Sequence, residues 1–347
     1  MPPSLGRAGN GGVAVKLISS RCDLQHVPDS YVLPPESRPG KEEFVLCENI
    51  PVIDLERDRA ENVRQVLKAG QEFGFFQLTN HGVSKTLMTD VLEVAEGFFE
   101  LPIEDKASVY SEDPKRSCRL YTSIDYDKEK VHFWRDSLRH PCHPVDEHVQ
   151  SWPEKPVRYR ELAGKYSVEV RKLSMLLLEL IGEGLGLEPG FFERDELNRV
   201  QLMALNCYPR CPNPSLTLGL PRHRDVNLIT VLLQGPVLGL QVLEDGQWLA
   251  LQPLPGAFVI NIGLALQIIS NGSLRSAEHR VMTNRTLARM TVTTFIHPSG
   301  DCMVEPAKGI TKNHNPPLYR SFLYKDFLST YIVDTYEGEP PLKRYTL

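Results

Sequence analysis

A histidine and an aspartate stand two residues apart near the middle of the chain. His223 and Asp225 lie in PRHRDVNLIT (221–230), a run that otherwise predicts a β-strand. Side chains at positions i and i+2 of a strand point to one face, so both polar groups would occupy a face where a core normally holds Val or Ile. A second histidine, His279, lies in SAEHRVMT. Two histidines and one carboxylate are the ligands of non-haem Fe(II) oxygenases, although a zinc hydrolase can use the same ligand types.

A second group of polar residues follows closely. Arg289 and Thr291 are again two residues apart, in ARMTVTTF. We expect HRVMT and ARMTVTTF to be consecutive strands of a hairpin, with Arg289 and Thr291 on one face. A buried guanidinium beside a hydroxyl suits one end of a dicarboxylate, because it binds a carboxylate through two parallel hydrogen bonds. Tyr208, in NCYPRCP, lies on the strand before the His-x-Asp strand, and its phenol could donate to the same carboxylate.

These residues belong to a β-rich second half of the chain that follows a helical first half. From about residue 200, short β-rich runs alternate with Pro/Gly turns, which is typical of an antiparallel sandwich or jelly roll with helices packed on it. We therefore predict an all-β core with flanking helices: a double-stranded β-helix (jelly roll) in a single large domain with a helical N-terminal region. Helices are predicted over 13–20, 59–74, 85–100, 158–186 and 313–336, and early strands over 50–54 and 75–82.

Composition limits the classes of partner. The chain has 347 residues, of which 41% are hydrophobic, and a net charge of −5 without a Lys/Arg-rich run, which argues against a nucleic-acid or anionic-membrane partner. No apolar stretch predicts a signal peptide or a membrane span. Seven scattered cysteines without a Cys-x-x-Cys pair favour free thiols in a reducing compartment. We expect a cytoplasmic monomer that acts on a small molecule.

Several longer motifs, taken together, resemble one family. IPVID, GFFQLTNHG, NCYPRCPNPSLTLGLPRHRD, FVINIGLALQIISNG and EHRVMTN resemble, in order and spacing, the plant 2-oxoglutarate/Fe(II)-dependent dioxygenases, which share the isopenicillin N synthase-like fold. The resemblance covers about residues 50–335. Within that family the chain is similar to hyoscyamine 6-hydroxylase and to the deoxymugineic and mugineic acid dioxygenases. The resemblance implies the following segments: a flexible N-terminal lead-in (1–45), an N-terminal α/β region (46–195), a jelly-roll dioxygenase core (196–300) and a C-terminal helical segment (301–347).

The resemblance also implies roles for the polar residues. His223, Asp225 and His279 would bind Fe(II), while Tyr208, Arg289 and Thr291 would hold 2-oxoglutarate as co-substrate, with O2 as oxidant and ascorbate as reductant. The sequence departs from the family at two positions. Thr291 stands where the family usually has serine, which keeps the hydroxyl, and Cys207 replaces the first of two tyrosines, which leaves Tyr208 in place.

The function implied is hydroxylation of a small plant metabolite or hormone, with 2-oxoglutarate and O2 converted to succinate and CO2. The same chemistry can give desaturation, epoxidation or demethylation, and a non-catalytic member of the fold that binds a small molecule is a further alternative. Phenolics, indoles and amino-acid-derived acids all stay open as substrates. An intact set of polar residues on a core face favours the enzyme over the binding protein.

The residues that would line the substrate pocket are predicted less directly. Phe133 lies in HFWRDSLRH (132–140), where the family's variable substrate residues occur; otherwise this stretch predicts a strand with a packed tryptophan and a solvated charged face. Phe295 and Tyr121 are two further candidates, each weighed against plain core packing. His81, in NHG, is excluded from the site because it is expected to cap a strand end, with Gly82 at positive φ.

Overall fold

A computed structural model describes residues 16–20, 24–40, 44–123, 126, 128–194, 196–312, 314–337 and 340–347. The strands are β1 (Val45–Leu46), β2 (Val52–Asp54), β3 (Phe75–Thr79), β4 (Arg119–Tyr121), β5 (Asp136–Pro141), β6 (Val200–Tyr208), β7 (Leu220–His223), β8 (Ile229–Gln234), β9 (Leu240–Glu244), β10 (Gln247–Ala250), β11 (Phe258–Ile262), β12 (His279–Val281), β13 (Arg289–His297), β14 (Met303–Val304) and β15 (Phe322–Leu323). The helices are α1 (Arg59–Glu72), α2 (Lys85–Glu100), α3 (Ile103–Lys106), α4 (Val145–His148), α5 (Tyr159–Gly184), α6 (Leu264–Ile269) and α7 (Tyr324–Glu337).

Two sheets form the body of the protein. An eight-stranded sheet has the order β2-β3-β11-β8-β13-β6-β5-β4, and a five-stranded sheet has the order β1-β10-β9-β12-β7. Apolar side chains of both sheets meet between them, including Leu232 and Val259 from the large sheet and Leu240 and Val242 from the small one. The predicted jelly roll is confirmed, and the N-terminal half of the chain adds β1 to β5 to its sheets.

The two faces of the large sheet carry different side chains. On β13, Val292 and Ile296 are fully buried and belong to the main apolar core, together with residues of α1, α2 and α5. Alternation along the strand places Arg289, Thr291 and Phe295 on the opposite face. We call this second face the inner face, because it is turned toward the small sheet. The helices therefore cover the outer face and leave the inner face for the polar groups.

The connection between the two sheets differs from the sequence-based prediction. PRHRDVNLIT is not one strand: β7 ends at His223 in the small sheet, β8 begins at Ile229 in the large sheet, and Asp225 lies in the connection between them. This connection packs closely against the start of α6, where a Cβ on Gly263 would lie 1.9 Å from the carbonyl oxygen of Asn227. The prediction that His223 and Asp225 share one face of a strand is therefore wrong, because Asp225 lies in the connection and not on a strand.

The predicted hairpin is also wrong. β12 pairs with β7 and β9 in the small sheet, whereas β13 pairs with β6 and β8 in the large sheet. Alternation of apolar residues indicates that each segment is a strand, but not which strand it pairs with. The closing helix begins at Tyr324 instead of the predicted residue 313, because β15 precedes it; residue 313 itself lies outside the described residues. No helix among the described residues has the length and apolarity to cross a bilayer.

A buried carboxylate ties the N-terminal segment to β5. The backbone amides of Ile18 and Ser19 donate to Asp136 at 3.0 and 2.7 Å, and the Thr122 hydroxyl donates to it as well. The helix predicted over 13–20 is therefore wrong at residues 16–20, because these amides bond a side chain instead of helix carbonyls; residues 1–15 lie outside the described residues. Leu17 is fully buried, so this part of the expected flexible lead-in is packed.

We predict that Asp136→Ala destabilises the fold by about 3 kcal/mol, because it leaves buried amide and hydroxyl donors without an acceptor. Urea unfolding followed by circular dichroism measures the change. Asp301→Ala is the control, since this side chain is 84% exposed and pairs only with a surface lysine, so its unfolding midpoint should not move. An unchanged midpoint in Asp136→Ala would show that the carboxylate does not anchor the N-terminal segment.

Candidate metal centre and co-substrate site

Two histidines of the small sheet and an aspartate of the connection to the large sheet converge on one point. His223 ends β7, His279 begins β12, and these two residues are directly paired across the strands. Nε2 of each histidine lies 3.7 Å from Oδ1 of Asp225. These distances are too long for hydrogen bonds, and the possible ligand atoms of the three residues all lie within 4.8 Å of one another. One metal ion could therefore contact all three side chains at once.

Hydrogen bonds on the far side of each ligand fix its orientation. Nδ1 of His223 lies 2.9 Å from the Pro221 carbonyl, and Nδ1 of His279 lies 3.1 Å from the Ala277 carbonyl. A carbonyl can only accept, so each Nδ1 carries the proton and each Nε2 presents its lone pair to the centre. This is the usual arrangement of histidines that bind a metal.

The two carboxylate oxygens of Asp225 have different neighbours. Oδ2 of Asp225 accepts from the Thr230 hydroxyl at 2.7 Å and from the Asn261 amide at 3.2 Å, and both donors belong to the large sheet. Oδ1 is left facing the two histidines. Sequence reasoning missed Thr230 and Asn261, because their role depends on strand pairing between β8 and β11.

The ionisation states suit a divalent cation. Burial, and next the neighbouring His279, lowers the pKa of His223 to about 4, so its imidazole is neutral at neutral pH. Burial raises the pKa of Asp225, but the two histidines and the bonds from Thr230 and Asn261 outweigh it, and the net pKa lies below its ordinary value. Two neutral imidazoles and one carboxylate fit Fe(II), and they leave the remaining positions of an octahedral ion for other ligands.

The C-terminal helix holds the connection that carries Asp225. The Tyr331 hydroxyl donates to the Arg224 carbonyl at 2.8 Å, and the Tyr324 hydroxyl donates to the Val226 carbonyl at 3.3 Å. Both carbonyls are therefore fixed on either side of Asp225. Sequence reasoning missed these tyrosines, because nothing in α7 indicates that it packs on a segment about a hundred residues earlier.

A second polar set lies at the end of β13 on the inner face. Arg289 pairs directly with Tyr208, and its Cζ lies 5.3 Å from the centre of the Tyr208 ring. The guanidinium is 2% exposed, and its contacts are neutral: Nε donates to the Val237 carbonyl and Nη2 to the Gln234 side chain, each at 3.2 Å. No acidic side chain of the described residues pairs with it. A buried guanidinium without a carboxylate partner is suited to bind a carboxylate ligand.

Two glycines make room for this set. A Cβ on Gly239 would lie 2.8 Å from Cδ of Arg289, and a Cβ on Gly219 would lie 2.5 Å from the Tyr208 ring. Glycine is required at both positions because the backbone lies so close to the Arg289 and Tyr208 side chains that a Cβ atom would clash with them. Thr291 shares the inner face, and its hydroxyl accepts from Asn206 at 3.3 Å. The structure thus brings Tyr208, Arg289 and Thr291 together, as the sequence predicted.

The three candidate pocket residues lie in different surroundings. Phe295 is on the inner face of β13 and is half-buried, although its neighbour Ile296 on the outer face is fully buried. Tyr121 ends β4, and the Arg119 guanidinium lies 4.3 Å from its ring centre. Phe133 packs in a small apolar cluster with Leu33, Leu218 and Met282.

The charged stretch around β5 is not solvated, contrary to the sequence-based prediction. Ser137 is 1% exposed, Arg135 is 9% exposed, and Arg139 is half-buried. Sequence reasoning did not predict that these two arginines are buried or half-buried. The signal that could have identified them is the alternation of Arg135, Ser137 and Arg139, which places polar side chains at every second position of a strand inside a large sheet.

Two family models match the chain. The model described as the 2OG-Fe(II) oxygenase superfamily matches residues 199–298, and the model described as the N-terminal region of non-haem dioxygenases in morphine synthesis matches residues 50–158. The first match contains the three candidate metal ligands and the co-substrate residues of the inner face, and the second contains the helices α1 and α2 and the strands β4 and β5.

Curated relatives match over most of their length. The chain is 43% identical to 2'-deoxymugineic-acid 2'-dioxygenase of Hordeum vulgare, covering 88% of this chain and 90% of that protein. It is 41% identical to hyoscyamine 6-dioxygenase of Hyoscyamus niger, covering 94% and 98%. It is 45% identical to flavanone 3-dioxygenase 2 of Oryza sativa subsp. japonica, covering 87% and 89%.

A solved structure gives the same result for the fold. JOX2 in complex with 2OG, Fe and JA superposes with a TM-score of 0.81 at 32% identity, covering 92% of this chain and 94% of that one. The sequence motifs, the two sheets and the relatives agree with one another. This chain belongs to the 2OG-Fe(II) oxygenase superfamily and is a dioxygenase that depends on Fe(II) and 2-oxoglutarate.

Proposed function

We propose that this protein hydroxylates a small plant metabolite or hormone, with His223, Asp225 and His279 as the Fe(II) ligands. Tyr208, Arg289 and Thr291 hold the distal carboxylate of 2-oxoglutarate. The observation that carries this proposal is the convergence of two imidazole Nε2 atoms and one carboxylate oxygen in a buried site, beside a guanidinium that has no acidic partner among the described residues. The curated relatives support it, since their names describe dioxygenases of small molecules.

The protein's own residues orient and enclose the reactants. His223 and His279 present unprotonated Nε2 atoms, and Asp225 presents one oxygen while Thr230 and Asn261 hold the other. Arg289 and Thr291 fix one end of the co-substrate by charge-assisted hydrogen bonds. When bound, Fe(II) and 2-oxoglutarate supply the oxidation, in which O2 is consumed, succinate and CO2 are released, and one oxygen atom is transferred to the substrate.

The outcome of the reaction depends on where the substrate carbon lies. Phe295, Tyr121 and Phe133 are the residues that we propose to line the substrate pocket. Hydroxylation is the main proposal, while desaturation, epoxidation and demethylation are alternative outcomes of the same chemistry. A non-catalytic binding protein would have no reason to maintain a buried, unpaired guanidinium beside three metal-ligating side chains.

The remaining features of the proposal are supported by the sequence. A net charge of −5 and scattered cysteines without a Cys-x-x-Cys pair are consistent with a cytoplasmic monomer that binds no nucleic acid. The division into a lead-in (1–45), an N-terminal region (46–195), a core (196–300) and a C-terminal segment (301–347) is proposed on the same basis.

Succinate release tests the proposed function. The purified protein is incubated with Fe(II), ascorbate, 2-oxoglutarate and a pooled plant metabolite extract, and products are followed by mass spectrometry. Extract-dependent succinate together with a product 16 mass units heavier is the expected result. A product lighter by two units would indicate desaturation, and the absence of any 2-oxoglutarate turnover, with iron demonstrably bound, would favour the binding protein.

We predict that His223→Ala and Asp225→Ala each abolish succinate release without unfolding the protein. Each substitution removes one of three ligands, while the surrounding strands keep their pairing. The measurement is extract-dependent succinate at equal protein concentration, with circular dichroism as the control for folding. Full activity in either folded variant would sink the metal assignment.

We predict that Thr230→Val lowers the affinity for Fe(II) by about tenfold, because residues that orient metal ligands typically contribute 10- to 100-fold. Competition against a coloured chelator under anaerobic conditions measures the affinity. Thr294→Val is the matched control, since Thr294 is equally buried but lies on the outer face. Equal metal affinities in all three proteins would contradict the role of the Thr230 hydroxyl.

We predict that Arg289→Ala raises the KM for 2-oxoglutarate by about 10- to 100-fold, the range for loss of hydrogen bonds to a charged group. The affinity for Fe(II) should stay unchanged, because Arg289 does not contact the metal ligands. Initial rates of succinate release against 2-oxoglutarate concentration give the KM, and Arg289→Lys should recover part of the loss. An unchanged KM in Arg289→Ala would refute this role.

A further inference from the structure

The inner face of the large sheet carries a second group of cationic and polar side chains, on β4 and β5 and the residue before β5. Across β4 and β5, Tyr121 pairs with Ser137 and Arg119 pairs with Arg139. Across β5 and β6, Ser137 pairs with Asn206. Paired residues of antiparallel strands point to the same face. Ser137 and Arg139 therefore share the inner face with Asn206, whose amide donates to Thr291.

The two arginines of this group are buried or half-buried and lack acidic partners among the described residues. Nε of Arg135 is fully enclosed and has no hydrogen-bond partner. Neither Arg135 nor Arg139 pairs with an acidic side chain anywhere in the part of the chain that the structure describes. Enclosing unpaired guanidinium groups costs several kcal/mol. A ligand that pairs with these guanidinium groups would offset this cost.

The positive charge of these arginines acts on neighbouring groups. Burial raises the pKa of the Tyr121 phenol, yet Arg139, Arg135, a hydrogen bond with Ser137 and Arg119 outweigh it, and the net pKa lies below its ordinary value. Burial, and next Arg139, lowers the pKa of His297 to about 3.

The two arginines lie at different distances from the site that we assign to 2-oxoglutarate. Arg139 pairs with Ala204 on β6, and Ala204 pairs with Thr293 on β13, four residues along from Arg289. Two strand spacings across and four residues along correspond to about 16 Å between the Cα atoms of Arg139 and Arg289. Arg135 immediately precedes Asp136, the partner of Cys207, so it is level with Tyr208, the partner of Arg289. The two arginines therefore extend from the co-substrate residues along the inner face.

We propose that Arg135, Arg139, Ser137 and Tyr121 form an anion subsite that binds a carboxylate of the primary substrate, which makes the substrate a small organic acid. The inference rests on the proposed function, since it deepens the same active site. A guanidinium pair and two hydroxyls match a planar carboxylate.

A further feature supports this class of substrate. Phe295 and its cross-strand partner Leu202 are both half-buried on the inner face, and they offer an apolar wall for the body of the acid.

Binding of matched acids and amides tests the proposal without turnover. The full-length protein is loaded with Zn(II) and N-oxalylglycine, a non-reactive analogue of 2-oxoglutarate. Benzoate, phenylacetate, cinnamate and octanoate are then titrated calorimetrically, each beside its neutral carboxamide of nearly the same shape. At least one acid should bind about tenfold tighter than its carboxamide, the effect expected of a charge-assisted hydrogen bond.

Substitutions locate the effect. Arg135→Gln and Arg139→Gln should each reduce the preference for the acid by about tenfold, whereas Arg139→Lys, which keeps the charge, should retain part of it. Arg158→Gln is the control, because it removes the same charge from a side chain that is 60% exposed and immediately precedes α5. It should leave the preference unchanged.

Two outcomes would overturn the subsite: no acid binds better than its carboxamide, or the preference persists in the Arg135→Gln/Arg139→Gln double variant. Titration of 2-oxoglutarate into the same metal-loaded protein separates this failure from failure of the proposed function. If 2-oxoglutarate binds and the acids do not, only the subsite is wrong. If 2-oxoglutarate does not bind, the proposed function is wrong whatever the acids do.

Discussion

The structure depends on a carboxylate that serves two sheets at once. Oδ2 of Asp225 accepts hydrogen bonds from Thr230 and Asn261 of the large sheet, and Oδ1 faces the histidines of the small sheet. Because it lies in the connection between β7 and β8, it can reach both. The proposed metal centre therefore lies where the two sheets are joined, and its ligands come from β7, β12 and the connection between β7 and β8.

Strand β13 likewise presents different side chains to its two faces. Its outer side chains, such as Val292, pack under the helices, while its inner side chains run from Arg289 through Thr291 to Phe295. A strand normally buries apolar groups on any covered face. On β13 the inner face instead carries polar side chains, and the Thr291 and Thr293 hydroxyls accept hydrogen bonds from Asn206. Burying such groups is costly unless each has a partner, so a polar covered face favours the binding of a polar ligand.

How much of this could be predicted from the sequence depended on whether the signal was local. The helices at 59–74, 85–100 and 158–186 agree with α1, α2 and α5, because apolar periodicity is a local property. The candidate site residues could also be identified locally, because they are polar residues within otherwise apolar segments. Strand pairing was not predictable, so the hairpin and the uninterrupted strand were wrong. Arg135 and Arg139 were missed because only the neighbours on β4 and β6 show that their face is enclosed.

The contacts of α7 have a consequence for how the protein is made. Tyr331 holds the Arg224 carbonyl across 107 positions of sequence, and Tyr324 holds the Val226 carbonyl across 98. The three proposed metal ligands all precede this helix in the chain and are therefore synthesised before it. A nascent chain that ends before residue 324 would lack both tyrosines, so the Arg224 and Val226 carbonyls on either side of Asp225 would not be held. The position of Asp225 is therefore fixed only after α7 has been synthesised.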